Sequence, residues 1–409
     1  MKKLKPQLRF PEFTGDWEKK KLGEVADISS GGTPSRTNPN YWGGDIPWVS
    51  TSLIDFNFID RAEEFITAEG LRNSSAKLFP IGTLLMAMYG QGKTRGKTAI
   101  LAIEASTNQA CGAILVNQEK INPLFTFQNL SKRYDEIRDL SNQGGQENLS
   151  GGIIKGIEIA FPTLPEQHKI AAFLSAVDDK LTKLKKKKDR LEQYKKGVMQ
   201  KLFSQEIRFR DENGNSFPDW EVKKLGEVLF EHLEKNKNNN TQEVFSVAKH
   251  KGVINQIEHL GRSFSANEIT HYKLIFPFDI VYTKSPTSDF PFGIIKQNMT
   301  GRTGVVSPLY GVFKPITPSL GFILHNYFNF SINVYNYLSP LVQKGAKNTM
   351  NINNSDFLNG AGLSLPVDEK EQILISNFLG AIDDKIALCG REIDKMEVWK
   401  KGLLQKMFV

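Results

Sequence analysis

The sequence has little cysteine and no long hydrophobic run, and both absences narrow what the protein can be. Its 409 residues include two cysteines, Cys111 and Cys389, far apart and outside any CxxC spacing. That excludes a disulfide scaffold and a cysteine-based zinc site, and it fits the reducing cytoplasm. No stretch approaches the roughly 18 apolar residues of a membrane span, and the basic N-terminus leads into no apolar signal segment. We therefore expect a cytoplasmic protein with no membrane contact.

The remaining composition is that of a globular chain with a modest excess of positive charge. Hydrophobic residues make up 40% of the sequence, and the formal net charge is +8. Residues 165–205 hold most of this excess, with 11 Lys and Arg against 5 Asp and Glu. A basic balance raises the expectation of a polyanionic partner, but one Lys-rich segment does not locate the surface that would bind it.

The chain contains two copies of one long unit. The matching segments are 16–25 with 219–228 (nine of ten positions identical), 173–180 with 378–385, and 194–203 with 399–408. A shift this long indicates duplicated domains rather than a solenoid. Residues 30–145 and 230–345 share only fragments, which suggests one scaffold that presents two different binding surfaces. Neutral drift in loop-rich domains is the alternative.

A heptad pattern of apolar residues closes each copy. In the first copy the pattern comprises Ile170, Leu174, Val177, Leu181, Leu184, Leu191, Val198 and Leu202. In the second it comprises Ile375, Leu379, Ile382, Ile386, Cys389, Ile393, Met396, Leu403 and Met407. Lys188, Lys195 and Lys400 interrupt these seams. The pattern predicts two helices of roughly 55–60 Å that pair as a coiled coil. Because an insert returns the chain between them, we expect the pair to be antiparallel; separate packing of each helix on its own domain is the alternative.

Between the repeated segments the sequence predicts mixed, strand-rich domains. Short apolar runs at 112–116 and 278–282 indicate strands, and the patterns at 124–140 and 320–338 indicate helices. The expected fold class is α+β, with two mixed α/β domains joined by two long helices in an internal pseudo-twofold repeat. The expected domain bounds are 1–160, 161–205 (first long helix), 206–365 and 366–409 (second long helix).

Motifs that would indicate an enzyme fail on spacing. Residues 90–98 resemble a phosphate-binding P-loop, but Gln91 stands where the Walker pattern needs glycine. Residues 38–41 resemble the Asn-Pro-Pro-Tyr motif of amino-methyltransferases without its second proline. The six histidines show no metal-ligand spacing. We therefore expect no catalytic residue and no metal site.

Loops that mix Gly, amide and hydroxyl side chains with Lys and Arg are the best candidates for contacts with nucleic acid. Amides and hydroxyls can read base edges while the cations neutralise phosphates, although any one loop could be an ordinary solvated turn. In the first insert the candidates are Tyr89, Gln91, Lys93, Thr94, Arg95, Lys97, Gln143 and Gln146. In the second they are Lys284, Ser285, Thr287, Ser288, Arg302, Lys344, Lys347 and Asn348.

Over nearly its whole length the chain resembles the specificity subunit of Type I restriction-modification systems. The resemblance is carried by the duplicated segments 16–25 and 219–228, and by residues 164–174 (Leu-Pro-Glu-Gln-His-Lys-Ile-Ala-Ala-Phe-Leu), which lead into the first long helix. The Gly-Gly-Thr-Pro-Ser stretch and the aromatic segment after it, within 31–48, are similar to the opening of many target recognition domains. The second copy departs from this pattern at 366–372.

The resemblance implies a non-catalytic DNA-recognition subunit. Each insert would be a target recognition domain that reads one half of a bipartite, gapped site in double-stranded DNA. The helix pair would set the gap and dock two methyltransferase subunits, which bind S-adenosylmethionine and methylate adenine. ATP and Mg would belong to a separate restriction subunit, so this chain would bind no cofactor. A self-contained DNA methyltransferase and a coiled-coil scaffold without a nucleic-acid role are the alternatives.

Overall fold

The computed structural model describes residues 4–90, 94–140, 148–249, 251–262, 265, 268–344 and 350–409. Contacts divide the chain into two compact units, Met1–Lys186 with Arg391–Val409, and Lys187–Gly390. Each unit contains one insert, the repeated segments that frame it, and a part of each long helix. The contact-based units therefore cut through the helices, whereas the sequence-based domains keep each helix whole.

The first insert and its frame are built from short strands and helices. The strands are β1 (Glu18–Lys21), β2 (Ala26–Ser30), β3 (Trp42–Val49), β4 (Asn57–Ile59), β5 (Glu64–Ile66), β6 (Leu78–Phe79), β7 (Leu84–Ala87), β8 (Thr98–Leu101), β9 (Ala105–Thr107), β10 (Cys111–Val116) and β11 (Glu158–Phe161). The helices are α1 (Ala68–Arg72), α2 (Pro123–Lys132), α3 (Tyr134–Arg138) and α4 (Gly151–Gly156), followed by the long helix α5 (Leu164–Phe203).

The second insert and its frame are also built from short strands and helices. The strands are β12 (Glu221–Lys223), β13 (Leu229–Glu231), β14 (Phe245–Ala248), β15 (Gly252–Asn255), β16 (Lys273–Ile275), β17 (Ile280–Tyr282), β18 (Ile295–Gln297), β19 (Gly304–Val306), β20 (Gly311–Pro315), β21 (Gln343–Lys344), β22 (Met350–Asn351) and β23 (Leu363–Leu365). The helices are α6 (Leu225–Val228), α7 (Gln256–Leu260), α8 (Pro318–Tyr327), α9 (Ser331–Leu338) and α10 (Asn354–Leu358), and the long helix α11 (Glu369–Met407) closes the chain.

The repeated segments close each insert onto a two-stranded frame. β1 pairs antiparallel with β11, and β12 pairs antiparallel with β23. Leu22 and Leu225, from the repeated Lys-Leu-Gly-Glu-Val, are fully buried. Beside them, Glu24 and Glu227 accept hydrogen bonds from the backbone N–H three residues earlier, at 2.8 and 2.7 Å. The near-identity of these segments therefore reflects one closure used twice.

The two inserts share a sheet order although their sequences do not match. The first contains a five-stranded sheet in the order β2-β10-β7-β8-β4, and the second a four-stranded sheet in the order β13-β20-β17-β18. In the first insert α2 follows β10, and in the second α8 follows β20. Each of these helices starts with proline and is capped by the side chain before it, Asn122 or Thr317. The predicted α+β fold class is confirmed, with one refinement: each predicted helical patch is two helices, α2 with α3 and α8 with α9.

The long helices run antiparallel in both units, as the heptad pattern predicts. In the first unit Lys400 Nζ lies 2.5 Å from Asp178 Oδ1, and Lys185 pairs with Glu397 at 2.6 Å. In the second unit Lys195 Nζ lies 2.7 Å from both carboxylate oxygens of Asp383. Lys195 and Lys400, which interrupt the apolar seams, thus each reach an aspartate of the opposite helix.

A buried Arg–Glu pair ties the chain that precedes each repeat to the start of a long helix. Arg9 donates two hydrogen bonds to the carboxylate of Glu166, both at 2.7 Å. Arg208 donates to Glu371 at 3.1 and 2.9 Å. Both carboxylate side chains are about 1% exposed. A carboxylate this deeply buried must be paired, so the arginine fixes the start of each helix.

The phenylalanine that follows each of these arginines packs on the same helix. Phe10 and Phe173 meet edge to face with ring centroids 5.8 Å apart, and Phe209 and Phe378 do so at 5.6 Å. Residues 206–218, which connect the two copies, are therefore anchored rather than loose. Among the described residues, no helix is both long and apolar enough to span a membrane.

Replacing Arg9 with alanine should lower the free energy of unfolding by about 3 kcal/mol, because it leaves the Glu166 carboxylate buried without its partner. Urea denaturation of the full chain measures this. Lys5→Ala is the control, since it removes an exposed pair with Asp16 at 3.4 Å and should cost less than about 1 kcal/mol. Equal losses in the two variants would contradict the role of the buried pair.

Lys195→Asp should place two carboxylates against each other in the helix seam and lower stability by roughly 1 kcal/mol. Adding Asp383→Lys should restore the lost stability by recreating the pair with its charges exchanged. The thermal unfolding midpoint measures both effects. Lys196→Asp with Asp383→Lys is the matched control, because Lys196 is exposed, and this combination should show no rescue.

Candidate nucleic-acid interface

Four predicted contact residues of the first insert lie in the turn between β7 and β8. The turn is closed by hydrogen bonds from Ala87 N to Lys97 O and from Gly96 N to Ala87 O, both at 2.9 Å. Tyr89 is 41% exposed and Thr94 is half-buried, whereas Arg95 is 8% exposed. The turn therefore presents Tyr89 and Thr94 to solvent and keeps most of Arg95 inside. Gln91, Lys93, Gln143 and Gln146 lie outside the described residues.

Lys97 belongs to a cluster that links this turn to its neighbours. Its Nζ donates to Asp55 Oδ1 at 2.6 Å and lies 5.9 Å from the centroid of the Phe56 ring. Phe56 in turn meets Tyr134 edge to face at 5.2 Å, and the Arg138 guanidinium lies 5.5 Å from the Tyr134 ring. Both cations are paired within the protein, Lys97 with Asp55 and Arg138 with Asp139, so it is the two rings, which can stack on bases, that suit this cluster to a nucleic-acid surface.

Phe56 and Tyr134 were not among the contact residues predicted from the sequence. Phe56 has a backbone φ of +54°, in the left-handed region that bulky residues rarely adopt, and its side chain is 38% exposed. Strained residues of this kind concentrate at functional sites. The local signal was the Phe-Asn-Phe segment 56–58, which places two aromatic residues beside polar ones; Phe58 is also exposed.

The Gly-Gly-Thr-Pro-Ser stretch at 31–35 serves packing. A Cβ on Gly31 would lie 2.1 Å from the carbonyl oxygen of Thr107, and Trp48 Nε1 donates to the carbonyl of Gly32 at 3.0 Å. Next to it, the Arg36 guanidinium lies 3.7 Å from the centroid of the Trp42 ring. Only glycine permits this approach, so the stretch holds the loop before β3 against the turn after β9.

In the second insert, Lys284, Ser285, Thr287 and Ser288 lie in the loop after β17. Ser285, Thr287 and Ser288 are exposed, and reciprocal backbone hydrogen bonds between Thr287 and Phe290, at 3.0 and 3.2 Å, fix the turn. Lys284 is half-buried with a φ of +59°, and burial together with the charge of Lys273 lowers its pKa. The loop therefore presents three hydroxyl groups beside a constrained cation.

The remaining candidates of the second insert occupy separate places. Arg302 Nη1 pairs with Glu243 at 2.9 Å and with Glu258 at 3.2 Å, so its charge is already matched within the protein. Lys344 is a residue of the short strand β21. Lys347 and Asn348 lie outside the described residues. The predicted residues of the 284–288 loop therefore lie together, whereas Arg302 lies elsewhere in the insert.

The long helices also expose apolar side chains, one of which, Trp399, meets Phe173 of the opposite helix edge to face with ring centroids 6.1 Å apart. On the part of α11 in the first unit, Val398 is 73% exposed and Trp399 47%. In the second unit, Tyr194 of α5 and Leu388 of α11 are about half exposed. Neighbouring exposed apolar residues on a helix suit contact with another protein.

One family of known proteins matches the first half of the chain. Residues 14–193 match the family described as the Type I restriction modification DNA specificity domain, so the first half of the chain carries a domain of that family. The resemblance indicated by the sequence is thereby confirmed.

Individual relatives extend the match. The chain is 30% identical over 226 residues to the Type I restriction enzyme MjaIX specificity subunit of Methanocaldococcus jannaschii, covering 52% of each chain. It is 26% identical to the EcoR124I/EcoR124II specificity subunit of Escherichia coli, over 42% of this chain and 43% of that protein. The putative MjaX specificity subunit of M. jannaschii is 25% identical over 96% of this chain and 93% of its own length. The match thus spans about half of the first two relatives and nearly all of the third.

Solved structures share the fold. The S subunit of a Type I restriction-modification system from M. genitalium superposes with a TM-score of 0.63 at 14% identity, covering 99% of both chains. A chain from a structural study of complex assembly in the type I R-M system gives a TM-score of 0.53 at 16% identity, covering 97% of this chain and 98% of that one. These likenesses confirm the two-domain α+β fold.

Gly96→Ala should destabilise the first insert more than Gly214→Ala does. Both glycines have a left-handed φ, +84° and +82°, but a Cβ on Gly96 would lie 3.2 Å from the backbone of Arg138, whereas one on Gly214 would meet nothing within 4 Å. The shared backbone strain costs about 1 kcal/mol, so the difference in thermal unfolding midpoint isolates the contact between the turn and α3. Equal midpoints would show that α3 shifts to accommodate the added methyl group without loss of stability.

Proposed function

We propose that this chain is the DNA-specificity subunit of a Type I restriction-modification complex and that each insert reads one half of a bipartite target. The observation that carries this proposal is that two inserts with one sheet order present different loops on a duplicated frame. A repeated frame with unlike loops suits recognition of two unlike half-sites. The names of the relatives, all specificity subunits, agree with this function.

The loops supply the chemistry for reading DNA. In the first insert, Tyr89 and Thr94 face solvent beside the cluster of Lys97, Phe56 and Tyr134. In the second, the hydroxyls of the 284–288 loop can donate to and accept from base edges. In both loops the groups that can contact base edges lie near a lysine side chain.

The long helices have two further tasks in this proposal. Their length sets the gap between the half-sites, and their exposed apolar residues dock two methyltransferase subunits, one on each repeat. Those subunits bind S-adenosylmethionine and methylate adenine, and a restriction subunit uses ATP and Mg. This chain then has no catalytic residue, binds no cofactor, and works in the cytoplasm, where these partners and the DNA are found.

Two other functions remain to be distinguished. A self-contained DNA methyltransferase would bind S-adenosylmethionine as the purified chain, which equilibrium dialysis measures directly. A coiled-coil scaffold would support assembly but give no preference among DNA sequences. The unlike loops on a duplicated frame favour the specificity function, because a scaffold has no need of two different surfaces.

Replacing Ser285, Thr287 and Ser288 together with alanine should relax one half of the target and leave the other half unchanged. Each lost base-edge contact removes roughly 1–3 kcal/mol of discrimination, a factor of about 5 to 150 at that position. Adenine methylation, mapped in the DNA of cells that carry the full chain with its methyltransferase subunits, measures both halves at once.

The matched control is Asn213→Ala with Ser216→Ala, two exposed residues of the connecting segment, which should leave the target unchanged. Relaxation of both halves by the loop variant would contradict the assignment of one insert to one half-site. Methylation without sequence preference in the unmodified complex would contradict the function itself.

A further inference from the structure

A basic cleft in the second unit plays no part in the contacts proposed above. It has a volume of about 660 Å³ and lies among the β14–β15 hairpin, α8 and the adjoining parts of the long helices. Its charged lining consists of Glu192, Lys195, Lys249, Lys251, Lys296 and Asp383. Four ammonium groups therefore face two carboxylates. A volume of this size suits a small molecule or a nucleotide unit.

The carboxylates near the cleft form ion pairs with lysines other than Lys296. Both oxygens of Asp383 accept from Lys195, and Lys249 pairs with Asp289. Lys296 is 4% exposed, its ammonium group contacts the side-chain oxygen of Asn329, and no carboxylate among the described residues forms an ion pair with it. A buried ammonium without a counter-charge is costly, and an anion in the cleft would compensate it.

The electrostatics of the cleft agree with a cation whose charge is only partly compensated. Burial, followed by the positive charge of Lys195, lowers the pKa of Lys296 to about 8, and the nearby Asp383 carboxylate acts in the opposite direction without offsetting them. Burial also lowers the pKa of His325, which therefore stays neutral at physiological pH. A bound anion would favour the charged form of Lys296.

Neutral donors complete the lining. His325 Nδ1 accepts a hydrogen bond from the backbone N–H of Gln297 at 3.0 Å, so the proton of the neutral ring is on Nε2. Because the oxygen of Asn329 already contacts Lys296, its amide nitrogen is the group left to donate. Phe290 and Phe322 add apolar surface. An anion with several acceptor oxygens matches such convergent donors better than a single-point anion does.

We infer that this cleft binds a phosphate group, with the ammonium of Lys296 at its floor and that of Lys251 at its exposed rim as the principal contacts. Two lysines match the one to two negative charges of a phosphate, and the amide and imidazole N–H groups match its remaining oxygens. The phosphate can belong to a free ion or nucleotide or to the DNA backbone, and the two sources are separable by experiment.

The first test uses the full chain and free ligands. Isothermal titration with inorganic phosphate and with adenosine monophosphate should show saturable binding that Lys296→Met weakens roughly tenfold or more, because a charged hydrogen bond is lost. Lys251→Met, at an exposed position, should weaken it as well and serves if the buried substitution prevents folding. Lys314→Met, an exposed lysine of β20, is the matched control and should bind like the unmodified chain.

The second test concerns the DNA source and rests on the proposed function. The complex with its methyltransferase subunits should bind duplex DNA with a salt dependence that becomes shallower by about 0.9 in slope when Lys251 or Lys296 is replaced. If the substitutions weaken free-phosphate binding, the cleft binds a free ion or nucleotide; if they change the salt slope, it binds the DNA backbone. If they change neither quantity, the proposed phosphate site is wrong. If the unmodified complex binds DNA without sequence preference, the proposed function fails, while the free-ligand result still decides the cleft.

Discussion

The buried Arg9–Glu166 pair is the contact on which the architecture of the first unit depends. A carboxylate that is 1% exposed needs a fixed partner of opposite charge, so Arg9 must always reach the start of α5. The adjacent Gln167 extends the junction: its Oε1 accepts from Asn122 N at 2.7 Å, and its Nε2 donates to Pro162 O at 2.8 Å. Two neighbouring residues thereby join the N-terminal segment, the insert and the long helix.

The second copy builds the same junction from a sequence that looks different. Glu371 accepts from Arg208, and Gln372 Oε1 accepts from Thr317 at 2.6 Å, so the divergent segment 366–372 keeps both functions of Glu166-Gln167. The Arg-Phe dipeptide at 9–10 recurs at 208–209, with a shift of 199 residues instead of the 203 that relates the segments 16–25 and 219–228. Four extra residues before the Asp-Trp-Glu of the second copy hide the equivalence, while the hydrogen bonds preserve it.

The helices and frames could be predicted from the sequence, and the sheets and much of the site could not. A heptad repeats its signal over 39 or 40 residues, whereas the strands of the inserts are two to eight residues long and many are buried on both faces, so they lack alternation. For the site, Lys97 and Arg302 were recognisable as basic residues in polar loops. Their partners, Asp55 and Glu258, lie 42 and 44 residues away, and only the folded chain shows that these charges are matched.

The separation of frame from loops explains how one scaffold can carry two unlike inserts. The contacts that hold the frame, through Leu22, Glu166, Gln167 and their counterparts, involve none of the exposed residues of the β7–β8 turn or the 284–288 loop. Changes in those loops therefore leave the closure of the insert and the start of the helix intact. The excess positive charge, which lies mostly within residues 165–205, is likewise separate from these loops. The loops can therefore vary in sequence without loss of the fold.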